Sequence, residues 1–141
     1  MTTSDYYKNS ILYPSIAVLL LTIIFSVIEN RNYNSEWFTS QSVYFLAIMT
    51  SLIYSFFISI LCLPILLVRL YVIKRNKTVT LLCWFLLPSI CIMTSVIHEI
   101  IFNLKYNEKF ESSFIYVIIL NMPFLVGLVW TYIKYRTLYQ G

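Results

Sequence analysis

At 141 residues the chain is long enough for one domain, and at 60% hydrophobic, 11% charged and a mean hydropathy of +0.78 it lies outside the soluble range of about 45–50% apolar and about 25% charged. That balance excludes a soluble globular or disordered protein and predicts an integral membrane protein, while two Gly and four Pro exclude a collagenous or low-complexity chain. The formal net charge of +4 would fit an acidic partner, but the positions of the charges give a simpler account.

Met1 to Ser10 reads as a short polar tail with Asp5 and Lys8. Ile11 to Ile28 follows with 18 uncharged residues, enough to cross about 30 Å of hydrocarbon as a helix. The near-neutral start and the ending Ser26-Val27-Ile28-Glu29 lack the basic region and small-residue cleavage site of a signal peptide, so this helix is expected to be retained. Pro14 falls in its first turn or so, where a missing N–H matters little, and Thr22 and Ser26 share a face. Glu29 to Ser42 is a polar connection in which Tyr33, Trp37 and Phe38 suit the headgroup level.

Val43 to Val68 is the second apolar run, 26 uncharged residues. On it Ala47, Ser51, Ser55 and Ser59 recur every fourth position, which on a helix makes one stripe of small side chains. In lipid such stripes let backbones approach and hydroxyls bond across, so this is the expected helix-packing seam. Pro64 should kink the run near its end. Arg69 to Lys77 is a basic bridge holding Arg69, Lys74, Arg75 and Lys77.

Thr78 to Ile97 is a third run of 20 uncharged residues, followed by His98 and Glu99. Pro88 is placed near mid-membrane, and Cys91, Ser95, His98 and Glu99 share one side of the helix. Asn103 to Ser113 is a second polar connection. Phe114 to Ile133 is the fourth run, again 20 uncharged residues, with Asn121, Pro123 and Gly127 inside it. Lys134 to Gly141 is a basic, aromatic tail.

Cytoplasmic loops carry an excess of Lys and Arg. With four crossings and the bridge inside, Lys8, Arg69, Lys74, Arg75, Lys77, Lys134 and Arg136 fall inside, and Arg31, Lys105 and Lys109 outside. The acids divide the opposite way: Asp5 inside, and Glu29, Glu36, Glu99, Glu108 and Glu111 at or beyond the outer face. The expected fold is all-α, a single transmembrane domain over residues 1–141, a four-helix bundle with both termini cytoplasmic.

The chain is poor in chemistry. Cys62, Cys83 and Cys91 lie in apolar runs and show no metal or disulfide spacing. His98-Glu99 begins an H-E-x-x-H pattern, but Phe102 stands at its fifth position and no second His exists, which excludes the helical zinc-hydrolase site. Glu29, His98 and Glu99 form an expected outer polar cluster, close to water rather than deep in the span. Asn121 is deep, and an amide there must face protein or water; an interhelical hydrogen bond, with a carbonyl freed by Pro88 or with the serine stripe, is the expected role. Pro88 and Pro123 at similar depth admit a broken-helix transport site. The basic bridge with Lys134 and Arg136 makes a face for anionic lipid or a soluble partner. Asn76-Lys77-Thr78 matches a glycosylation sequon, which would go unused on the cytoplasmic side.

No connection is long enough for a soluble catalytic domain, and no nucleophile–base pair, metal cluster or phosphate loop is present. The expectation is a non-enzyme without cofactors that does not bind nucleic acid directly. Small four-span drug exporters match in length, but their deep first-helix carboxylate has no counterpart before Glu29. The outline of four short-looped spans, cytoplasmic termini and a basic middle loop resembles two bacterial groups. One is the immunity proteins against pore-forming bacteriocins; the other is the membrane component of the Kiwa anti-phage system. The resemblance lies in the outline, and no residue is carried over from either. The Kiwa resemblance, favoured because the inner basic face is the most charged feature, implies an inner-membrane protein that self-assembles and contacts a cytoplasmic, DNA-associated companion. An immunity protein and a small transporter or channel are the alternatives.

Overall fold

The computed structural model describes residues 3–31, 39–70, 76–106 and 110–139, and every element among them is helical. Thr3–Tyr7 (α1) runs through a π turn at Lys8–Leu12 into Tyr13–Glu29 (α2). Ser40–Leu61 (α3) continues as a 3₁₀ segment, Leu63–Arg69. Lys77–Tyr106 (α4) and Phe110–Tyr139 (α5) complete the chain. Among the described residues, four helices are long and apolar enough to cross a membrane: Ser4–Glu29, Ser40–Val68, Lys77–Lys105 and Phe114–Leu138.

The expected polar tail is a correction: from Thr3 onward it is helix, with Tyr6 and Ser10 buried. Pro14 explains the π turn that follows. It has no N–H for the Ser10 carbonyl, and its ring needs room beside that carbonyl. The widened turn supplies the room, with the Tyr13 N–H reaching back five residues to the Lys8 carbonyl. Pro14 is therefore an interior residue of a longer helix, rather than part of its first turn.

The remaining boundaries have local causes. Thr39 caps α3 by accepting from the Ser42 N–H at 3.4 Å, and Asn76 Oδ1 caps α4 by accepting from Thr78 and Val79 at 3.1 and 3.3 Å. The sequon asparagine is thus a helix cap. Pro64 interrupts α3, and the chain tightens so that the Ile65 N–H bonds the Cys62 carbonyl at 3.0 Å. In a 3₁₀ helix every third residue is eclipsed, which puts Cys62, Ile65 and Val68 together in the core. Both α4 and α5 run unbroken through Pro88 and Pro123.

Around the bundle, α2 packs against α3 on one side and α5 on the other, and α5 packs against α4. The fourth side is the weak one: α3 and α4 touch little, and the 3₁₀ segment rather than α3 itself joins α4 at the bridge end. The distribution of side chains departs from that of a water-soluble bundle. Buried positions include Ser10, Thr22, Ser26, Ser51, Ser55, Thr80, Asn121 and Thr131, while Ile53, Phe56, Met93, Val126 and Trp130 are each more than 60% exposed. Such a surface in water would greatly exceed ordinary apolar patches; in lipid it is the expected one, and the polar groups face protein. These features describe a multi-pass membrane protein.

Candidate functional site

Three helices meet at Asn121, which is 4% exposed on α5. Its Nδ2 donates to the Val117 carbonyl at 2.8 Å and to Ser95 Oγ of α4 at 3.2 Å. Its Oδ1 accepts from the Tyr54 hydroxyl of α3. Ser95 in turn donates to the Ile92 carbonyl at 2.8 Å, so the node is connected throughout. The expected partners for Asn121 are corrected here: neither a Pro88-freed carbonyl nor the serine stripe serves it. Tyr54, on the residue before Ser55, does.

The stripe is buried at Ser51 and Ser55 and half-buried at Ala47 and Ser59. Its hydroxyls bond within α3, Ser51 to the Ile48 carbonyl and Ser59 to the Ser55 carbonyl. The cross-helix bonds use its backbone instead. Tyr116 of α5 donates to the Ala47 carbonyl at 3.4 Å, and Tyr7 of α1 to the Ser59 carbonyl at 2.7 Å.

Beside the node, the gap between α3 and α4 opens sideways as a groove of about 720 Å³. Its half toward the bridge is apolar, with Phe57, Leu61, Leu87 and Ile90 on its walls and Leu120 of α5 behind. Its other half is polar, with Tyr54, Ser95, Tyr116, His98 and Glu99. Glu99 Oε1 accepts from the Asn103 amide at 3.2 Å, and the exposed His98 ring stacks on Phe102 at a centroid distance of 6.4 Å. Glu29 is not brought here. It is exposed at the end of α2, whose packing partners are α3 and α5, so the expected outer cluster divides into His98 and Glu99 on the groove and Glu29 apart from it.

At the opposite end, Tyr6, Trp84 and Tyr135 form a buried aromatic cluster, with ring centroids 5.6 to 6.1 Å apart. Tyr132 extends it between Trp84 and Phe85, at 5.9 and 5.2 Å. At the same end of the helices Lys8, Lys77, Lys134 and Arg136 are exposed. Arg69 closes the 3₁₀ segment; Lys74 and Arg75 lie outside the described residues, as do Tyr33, Glu36, Trp37, Phe38, Glu108 and Lys109. Among the described residues no group of three His, Cys, Asp or Glu could hold a metal, and Cys62, Cys83 and Cys91 are free thiols.

Two features escaped the sequence reading. One is the aromatic cluster. The other is the crossing of the first helix with α5, where Ser10 Oγ lies 2.8 Å from Thr131 Oγ1 and Gly127 lies against Pro14. Gly127 and Thr131 are small residues four apart, as are Ser10 and Pro14 in outline, and that spacing was the available signal. No protein-family model matches the chain, and no curated protein or solved structure is significantly similar to it.

Proposed function

We propose that the chain is a non-enzymatic, multi-pass protein of the bacterial inner membrane, the membrane subunit of an anti-phage defence system that anchors or signals to a cytoplasmic partner. The observation that supports this most is the gathering of exposed cations at one end. Lys8 from the first helix, Lys77 from α4, and Lys134 and Arg136 from α5 are exposed at the same end of the bundle as the packed rings of Tyr6, Trp84 and Tyr135. By the positive-inside bias this end is cytoplasmic, and both described ends of the chain are on it. The groove end is mixed in charge, with Glu29 and Glu99 alongside Arg31 and Lys105. Exposed cations at one packed end supply steering and register for an acidic partner surface, and the resemblance in outline adds self-association within the membrane.

Extraction in a mild detergent followed by pull-down on the tagged chain tests the reading. The expected result is a soluble companion encoded next to it, lost when Lys77, Lys134 and Arg136 are all changed to Gln and the fold is retained. Full protection of cells against a pore-forming toxin by this chain alone, with no companion bound, would replace the reading with the immunity one.

A further inference from the structure

The lateral groove between α3 and α4 is a second surface, away from the cationic end, and it has the dimensions and polarity of a ligand site. Ligand sites run from about 300 to 1,000 Å³ and are mostly apolar with a few placed polar groups; this groove is about 720 Å³. From Leu87 to Glu99 along α4 it spans about 18 Å, at 1.5 Å per residue, the reach of one extended hydrocarbon chain. It opens to the side, where a membrane protein meets lipid tails rather than water. Its polarity rises in one direction, from Leu61 and Leu87 through Ser95 to His98 and Glu99, and Glu99 is about 10 Å from the end of α4, at the level of headgroups. Among the described residues, Glu99 is the one acid on the lining, and no Lys or Arg lines it. Asn103 holds Oε1, which leaves Oε2 for another donor.

We infer that the groove holds one acyl chain of an amine-headed phospholipid, with the chain along Phe57, Leu61, Leu87 and Ile90 and the ammonium group at Glu99. The carboxylate favours a head that donates N–H over the bulkier choline head, which cannot donate. An anionic head would meet Glu99 as a like charge. The inference rests on the membrane reading of the chain and is independent of the partner proposed for the cationic end.

The test is reconstitution in bilayers of equal parts phosphatidylethanolamine and phosphatidylcholine, followed by gentle extraction and mass spectrometry of the retained lipid. The expected result is one phospholipid per chain, enriched about threefold in the amine head, the size expected of a partly exposed charge pair. Glu99→Gln should return the retained lipid to the bulk ratio. Thr94→Trp and Ile90→Trp, both at exposed groove positions, should remove it, and Ile24→Trp, exposed on α2, should leave it unchanged. Two filling variants are used so that loss of helix in one, read by circular dichroism, leaves the other. Lipid retained by both folded filling variants, or no amine preference in the wild type, overturns the inference. So does a change of oligomer size on filling without loss of lipid, which would give the groove to a second copy of the chain. Failure of the wild type to enter bilayers would overturn the membrane reading itself.

Discussion

Gly127 of α5 and Pro14 of the first helix are in such close contact that a Cβ added to Gly127 would stand 2.5 Å from Pro14 Cγ, and 3.3 Å from the Ser10 carbonyl oxygen. A proline ring and a helix backbone have little freedom to move aside. Gly127→Ala gains up to about 1 kcal/mol in intrinsic helix propensity, yet overpacking at this crossing should outweigh that and leave a net loss of about 1–2 kcal/mol. Reversible unfolding in mixed micelles measures it. In a Pro14→Ala background the Cγ is gone, so the cost of Gly127→Ala should shrink, a non-additivity that marks direct contact.

The node at Asn121 predicts a second coupling. Tyr54→Phe removes the donor to Asn121 Oδ1, and Asn121→Leu strands Tyr54 while deleting the bond to Ser95. Side-chain hydrogen bonds between membrane helices average about 0.6 kcal/mol and reach about 1.7. The double-mutant cycle should therefore give a coupling near 1 kcal/mol in the same unfolding assay. Additive effects would mean that the two side chains do not share a bond.

Tyr6 and Ser10 are buried, and Ser10 Oγ donates to the Tyr6 carbonyl at 2.6 Å, so the segment before Ile11 is part of the packed bundle. Amide hydrogen exchange should show protection from about Tyr7 onward, comparable with that of α2. Tyr6→Ala should weaken that protection and speed proteolysis there. Exchange as fast as that of an unstructured tail would contradict the helix.

Two of the three thiols, Cys62 and Cys91, should differ in reactivity. Cys62 is fully buried beneath the 3₁₀ segment, whereas Cys91 lies on the groove wall. N-ethylmaleimide in detergent should therefore modify Cys91 in the folded protein and reach Cys62 only after unfolding. Thr94→Trp, which fills the groove, should slow modification of Cys91.

The four apolar runs were legible because hydrophobicity and length are properties of single segments. Helix extent was less so. The first helix begins eight residues before Ile11, at Thr3, because Tyr6 and Ser10 gain partners on α5 and α4 that a window of local hydropathy does not contain. Asn121 was legible as a residue that needed a partner, since the cost of a bare amide in lipid holds for any fold. Which partner it takes depends on how α3 rotates about its axis, and that is set by packing, so Tyr54 rather than its neighbour Ser55 faces it. The same rotation leaves the Ser51 and Ser59 hydroxyls bonded within their own helix. Glu29 and Glu99 were grouped by depth alone; depth fixes height in a bundle but not which helices are neighbours. The groove arises from the weak contact between α3 and α4, which no single segment encodes.

The orientation of the cationic end is tested most directly by cysteine accessibility in a background in which Cys62, Cys83 and Cys91 are replaced. Lys134→Cys and Arg31→Cys, both at exposed positions, are treated separately with a membrane-impermeant maleimide. The account predicts that Arg31→Cys is labelled in intact spheroplasts and Lys134→Cys only after they are permeabilised. Labelling of Lys134→Cys from outside, with Arg31→Cys protected, would contradict it.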